Sequence, residues 1–172
     1  MLIAAVILIS ALLVVIDQVI KYLVEQNLKP LGSVNVIDGL FSLVYSENRG
    51  AAFGIFQNET IFFSVITVLM ISFFMYLLIS KHLKGLLFTA SVTMIIGGGI
   101  GNLIDRIFRG EQLFKGYVID YMSVSFFPPI FNFADCCITI GAALFIISVL
   151  FFYNPDNIVL SKKSKTSGEE DE

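Results

Sequence analysis

The run Phe131-Asn132-Phe133-Ala134-Asp135, continuing as CCITIGAALFIISVLFFY over residues 136–153, decides the fold. From residue 133 to 153 the chain is apolar for long enough to cross roughly 30 Å of hydrocarbon as a helix. Its one acid, Asp135, lies among Ala134, Cys136 and Ile138, where an ionised carboxylate needs a partner. A carboxylate at that depth is a functional hypothesis by default.

Three further stretches, 2–24, 61–80 and 86–104, have the same character. With 56% apolar residues and a mean hydropathy of +0.86, the chain is richer in apolar side chains than a soluble core requires. The expected fold class is an all-α membrane protein: four transmembrane helices, a small extracytoplasmic β-sheet and a mobile outer loop. Residues 1–157 form one four-span domain with an outer β insertion at about 28–57, and residues 158–172 form a disordered cytoplasmic tail. The first span is read as retained rather than cleaved, because it lacks a basic leader and Asp17, Gln18 and Lys21 stand where a cleavage site needs small residues. Adjacent Cys136 and Cys137 point in different directions on a helix and imply no disulfide framework.

Lysine placement sets the orientation. Lys81, His82 and Lys84 lie between spans two and three, and Lys162, Lys163 and Lys165 lie in the tail, so the positive-inside tendency puts both termini in the cytoplasm. The first outer connection reads Ser33-Val34-Asn35-Val36-Ile37, then Asp38-Gly39, then Leu40 to Tyr45, a hairpin pattern. The second holds Gly110, Gly116 and Pro128-Pro129, which exclude a long helix and predict a mobile segment between Asp105 and Asn132, of which Arg109 to Pro129 is expected to move as a lid.

The polar residues within reach of the spans have structural readings as well as functional ones. Asp17 and Lys21 have the spacing of a helical ion pair, equally suited to a snorkelling anchor. Asn102, Asp105 and Arg106 share one helix face, where Asp105 can pair with Arg106 or with Lys21. Gly97-Gly98-Gly99 and Gly101 suit close helix packing, and Asn132 suits an N-cap. Asp120, bracketed by Ile119 and Tyr121, has no basic neighbour in sequence, and neither does Asp135.

Other chemistries lack their parts. The one histidine, His82, belongs to no His-Glu-x-x-His pattern, neither Ser123 nor Cys136 has a base beside it, and no phosphate-binding glycine loop occurs. Four short spans without a repeated broken pair offer little to a transporter. A scaffold protein would explain the glycines but not two carboxyls without cations. Two carboxyls sharing a proton can activate water against an amide.

Five motifs, in order, carry a resemblance: Asp17-Gln18-x-x-Lys21, Asn48-Arg49-Gly50-Ala51-Ala52-Phe53-Gly54, Gly98-x-x-Gly101-Asn102-Leu103-Ile104-Asp105-Arg106, Val118-Ile119-Asp120-Tyr121 and Phe131-Asn132-Phe133-Ala134-Asp135. Together they resemble the lipoprotein signal peptidases (signal peptidase II) over nearly the whole chain apart from the acidic tail. The resemblance implies a bacterial inner-membrane aspartic peptidase that acts on diacylglyceryl-modified prolipoproteins near the outer membrane face. It implies Asp120 and Asp135 as the catalytic dyad and Asn48, Asn102, Arg106 and Asn132 as substrate-orienting residues. Asp17, Lys21 and Asp105 take supporting roles. It also implies no metal or organic cofactor, membrane lipid as a second partner, no nucleic acid, and cyclic peptide inhibitors of the family as ligands. Phe41, Tyr45, Phe53, Phe56, Tyr117 and Tyr121 are expected to line an interface for acyl chains or to form an aromatic belt. The chain departs from the family in its outer segment: the link from Arg106 to Asp120 is longer than usual and that from Asp120 to Asn132 shorter, which alters the lid more than the chemistry.

Overall fold

A computed structural model describes residues 2–50, 59–80 and 85–152. The tail expected at 158–172, the lysines and histidine used for orientation, and Phe53 and Phe56 lie outside these residues. The element order is α1 (Leu2–Asn27), β1 (Ser33–Ile37), β2 (Phe41–Asn48), α2 (Thr60–Ser80), α3 (Leu86–Phe108), β3 (Val118–Val124), β4 (Phe127–Phe131) and α4 (Phe133–Phe152). Among the described residues four helices are long and apolar enough to cross a membrane. Most of α3 is buried, whereas α1, α2 and α4 turn large apolar side chains outward, among them Leu8, Leu69 and Leu150. Such surfaces suit lipid and would be costly in water.

The helices meet around α3. Val6 of α1, Leu78 of α2 and Phe88, Val92 and Ile96 of α3 form one buried cluster, against which Phe74 and Phe145 pack edge to face at 5.1 Å. Ser10 donates to the carbonyl of Thr93 at 3.0 Å and pins α1 to α3. Two glycines of α3 set how close the neighbours come. A Cβ on Gly98 would collide with the carbonyl oxygen of Ala134 on α4, and one on Gly101 would lie 2.6 Å from the Asp17 carboxylate on α1. Both functional faces of α3 therefore rely on missing side chains.

The sheet is antiparallel throughout, in the order β1-β2-β3-β4. Its first half is the expected hairpin, with Gly39 at φ 69° in the turn. The second half differs from expectation: 118–131, taken as part of a mobile segment, forms β3 and β4. Pro128 and Pro129 lie in β4, an edge strand, in the irregular stretch between the paired residues Phe127 and Phe131, where missing N–H groups are tolerated. Between Leu43 and Ser46 the register of β2 slips against Met122 and Asp120, so a bulge adjoins Asp120. Leu28, Ile119 and Tyr121 form a second buried cluster that fastens the sheet to the end of α1.

The packing at Gly98 is open to test. Gly98→Ala should destabilise the protein by ~1–3 kcal/mol, the usual cost of overpacking, and lower its thermal midpoint in detergent. Leu150→Ala, at a site 71% exposed, should leave the midpoint nearly unchanged. Equal midpoints for Gly98→Ala and the parent protein would contradict the close approach of α3 and α4.

Candidate active site

An α-helix begins with four backbone N–H groups that have no intrahelical acceptor, and in α4 each finds one elsewhere. Asn132 is the N-cap: its Oδ1 accepts from Asp135 N at 2.9 Å, while Asp135 Oδ2 accepts from Asn132 N at 3.1 Å. This is the reciprocal pattern of a capping box, with an acid in the third helical position. Phe133 N donates to the Tyr121 hydroxyl at 3.2 Å, and Ala134 N donates to Asp17 Oδ1 at 3.1 Å. Strand β3 and helix α1 thus complete the start of α4 and fix where Asp135 stands.

The amide nitrogen of Asn132 does the joining. It donates to Asp120 Oδ1 at 2.6 Å and to Asn102 Oδ1 at 3.2 Å. Asn48 Nδ2 donates to the other Asp120 oxygen at 2.8 Å, and Asn102 Nδ2 donates to Asp135 Oδ1 at 2.7 Å. Each carboxyl therefore receives two N–H bonds from neutral groups, and among the described residues neither belongs to an ion pair. Burial, and after it the charge of Asp135, pushes the Asp120 carboxyl up from its ordinary value to about 7. At neutral pH this carboxyl is poised to hold or release a proton, which suits a pair acting as acid and base.

Asp17, Lys21 and Asp105 form a separate, fully buried cluster. Lys21 Nζ lies 2.8 Å from Asp17 Oδ2 and 2.7 Å from Asp105 Oδ2, and it donates to Asn102 Oδ1 at 2.9 Å. Of the two partners expected for Asp105, Lys21 is the one found. Arg106 points instead toward the dyad, with its guanidinium 5.6 Å from the Phe63 ring centroid, and Asp105 takes Arg109 as a second cation at 2.7 Å. Buried Asp17 and Lys21 are thus an internal pair, not an anchor at the lipid surface.

Two further members were given no role at the site by the sequence reading. Gln18 Nε2 reaches Asp17, Asp105 and the carbonyl of Gly101 at 3.1–3.2 Å, and Arg109 lies four residues beyond Asp105. The i,i+4 rule that paired Asp17 with Lys21 applies equally there, but Arg109 was counted as loop because α3 was expected to end at residue 104.

A cavity of about 550 Å³ opens beside the dyad. Asn48, Gly50, Arg106, Asp120 and Asp135 make its polar end, while Phe126, Phe127, Ile130, Phe131 and Ile140 are among its apolar walls. Among the described residues the aromatic lining comes from β4 and the turn before it, not from the tyrosines expected there. Tyr121 is buried at the cap of α4, and Tyr117 faces a second cavity of about 890 Å³ with Glu25, Arg49, Arg109 and Lys115. Among the described residues no three His, Cys, Asp or Glu side chains gather as metal ligands would.

A family model described as signal peptidase (SPase) II matches residues 9–151. The lipoprotein signal peptidase of Caldanaerobacter subterraneus subsp. tengcongensis is 46% identical over 138 residues, 80% of this chain and 90% of that one. That of Fusobacterium nucleatum subsp. nucleatum is 40% identical over 144 residues, 82% and 83% of the two chains. The fold is also similar to a solved bacterial membrane enzyme with a TM-score of 0.75 and 33% identity, covering 86% of this chain and 88% of the other. With a family model spanning most of its length and relatives this similar across nearly all of theirs, this chain belongs to the signal peptidase II family.

Proposed function

We propose that this protein is an intramembrane aspartic endopeptidase that removes the signal peptide from diacylglyceryl-modified prolipoproteins, cutting on the amino side of the lipidated cysteine. The observation that carries this reading is the pair Asp120 and Asp135, both hydrogen-bonded to Asn132 at the polar end of a cavity whose other walls are apolar. A signal-peptide segment and acyl chains need such walls, and the scissile amide needs the carboxyls.

In the reaction, the ionised carboxyl takes a proton from water as the water oxygen attacks the scissile carbonyl carbon. The protonated carboxyl gives its proton to the carbonyl oxygen, and collapse of the tetrahedral intermediate expels the amine, which takes up a proton from the dyad. Asn48, Asn102 and Asn132 spend their amides on holding the carboxyls in place, which leaves Arg106, at the cavity wall, to orient the substrate backbone. Asp17, Lys21 and Asp105 support the site from behind. The bacterial inner membrane, cytoplasmic termini and a site near the outer face complete the reading, on the strength of lysine placement. Purified protein in detergent should release the signal peptide from a diacylglyceryl-modified prolipoprotein and not from the unmodified control. Cleavage of both alike would refute the dependence on lipidation.

Asp120→Asn and Asp135→Asn should each lower turnover by about a thousandfold or more, because the pair works as a unit, while the protein still inserts and resists thermal unfolding. Near-parental turnover in either variant would remove that residue from the chemistry.

A pH profile gives an independent reading. The dyad needs one proton, and Asp120, raised to about 7, keeps its own below that pH and loses it above. Turnover should therefore fall as pH rises through about 7, with a midpoint that belongs to the coupled pair. A rate constant from about pH 6 to about pH 9 would exclude a proton on the dyad as a requirement.

A further inference from the structure

The polar network does not stop at Lys21. Arg109, just past the end of α3, places Nε 2.7 Å from Asp105 Oδ1 and Nη1 2.7 Å from Glu25 Oε2 near the end of α1. Its side chain is only 18% exposed. Behind the dyad, two buried carboxylates, Asp17 and Asp105, face a single buried ammonium, Lys21. Arg109, shared with Glu25, gives Asp105 a second cation. Without it two buried carboxylates depend on one buried ammonium, an arrangement that is costly to bury.

That cluster settles a question of orientation at the dyad. The two ends of an asparagine amide have nearly the same shape, and only their surroundings decide which end faces where. Asn102 turns Oδ1 to Lys21 Nζ and to the Asn132 amide, which leaves Nδ2 for Asp135. Reversed, it would aim an NH2 at an ammonium and a carbonyl at a carboxyl. Lys21 enforces the productive orientation only while it stays between Asp17 and Asp105, and Asp105 stays in place only while its far oxygen is held. Arg109 holds that oxygen, with Gln18 at 3.1 Å as the weaker, neutral donor.

We propose that Arg109 is a positioning residue for the dyad, acting through Asp105 and Lys21 on the hydrogen bond that Asn102 gives to Asp135. The inference rests on the reading of Asp120 and Asp135 as the catalytic pair.

The test uses the full chain in detergent with a diacylglyceryl-modified prolipoprotein, and compares Arg109→Gln, Arg109→Lys, Glu25→Gln, Asp105→Asn and the double variant Arg109→Gln/Asp105→Asn. Arg109→Gln should lower kcat roughly 10- to 100-fold, the range typical when a group that orients a reacting residue is lost, with KM within about twofold. Arg109→Lys, which keeps the charge beside Asp105, should recover part of that loss. Glu25→Gln should stay within about twofold of the parent. In the Asp105→Asn background, Arg109→Gln should add less than about twofold, because its effect passes through Asp105. An Arg109→Gln variant with parental kcat, or one that costs the same factor in both backgrounds, would overturn the proposal. The amide resonances of Asn102 in protein labelled with 15N-asparagine report the same contact without turnover. They should shift in Arg109→Gln and stay in place in Glu25→Gln; if Arg109→Gln leaves them unmoved, the proposal fails whatever the kinetics show. A parent protein that does not cleave at all, while these resonances shift as expected, would refute the peptidase reading, and with it the role in catalysis, and leave only the structural coupling of Arg109 to Asn102.

Discussion

The start of α4 is the constraint on which the rest of the molecule depends. A helix that begins near lipid cannot leave its first N–H groups to water, and unsatisfied ones cost several kcal/mol each. Here the acceptors come from three places at once: Asp17 of α1, Tyr121 of β3, and the Asn132–Asp135 exchange at the helix start itself. Moving α1 or the sheet would strip the cap, so the requirement for satisfied backbone groups locks the helices and the sheet into one arrangement. Asp135 inherits its position from that lock, because the carboxyl that caps the helix is the one that faces the cavity.

The second constraint is charge. Burying an ammonium and two carboxylates costs several kcal/mol per ion before any attraction is counted, and it succeeds only when each remaining donor and acceptor is used. Lys21 meets three oxygens within 2.9 Å, from Asp17, Asp105 and Asn102. The dyad, by contrast, is held by neutral amides alone. Among the described residues the division leaves the reacting carboxyls without an ion pair, yet places one amide, that of Asn102, in both networks. Gly101 is what lets Asp17 come close enough to α3 for the two networks to touch.

Much of this was legible in the sequence because it is local. Span length identified the helices, Asp38-Gly39 identified the hairpin, and the spacing of Asn102 and Asp105 put them on one face. What was lost depended on partners far along the chain. Residues 118–131 read as a mobile segment because Gly and Pro-Pro break local patterns, and nothing local says that β2 offers a strand to pair with or that β4 will be an edge. The choice of Lys21 and Arg109 over Arg106 for Asp105 turns on side-chain direction around a helix that runs four residues further than its apolar stretch. Tyr121 read as an aromatic for lipid because its hydroxyl finds its acceptor role only once β3 lies against the start of α4.

Asn132 explains why the sheet belongs to the site and is more than a cover for it. β4 ends at Phe131 and α4 begins at Phe133, so this one residue separates strand from helix. Across the ladder Met122 pairs with Phe131, which brings Asp120, two residues earlier on β3, beside the cap. At that junction the side chain must accept from the helix backbone and also donate to both Asp120 and Asn102. Serine or aspartate would cap a helix equally well, but a hydroxyl has a single proton to give and a carboxylate has none. Only an amide of this length both ends the strand-to-helix turn and holds the two halves of the dyad together, so the backbone junction and the chemistry are specified by the same side chain.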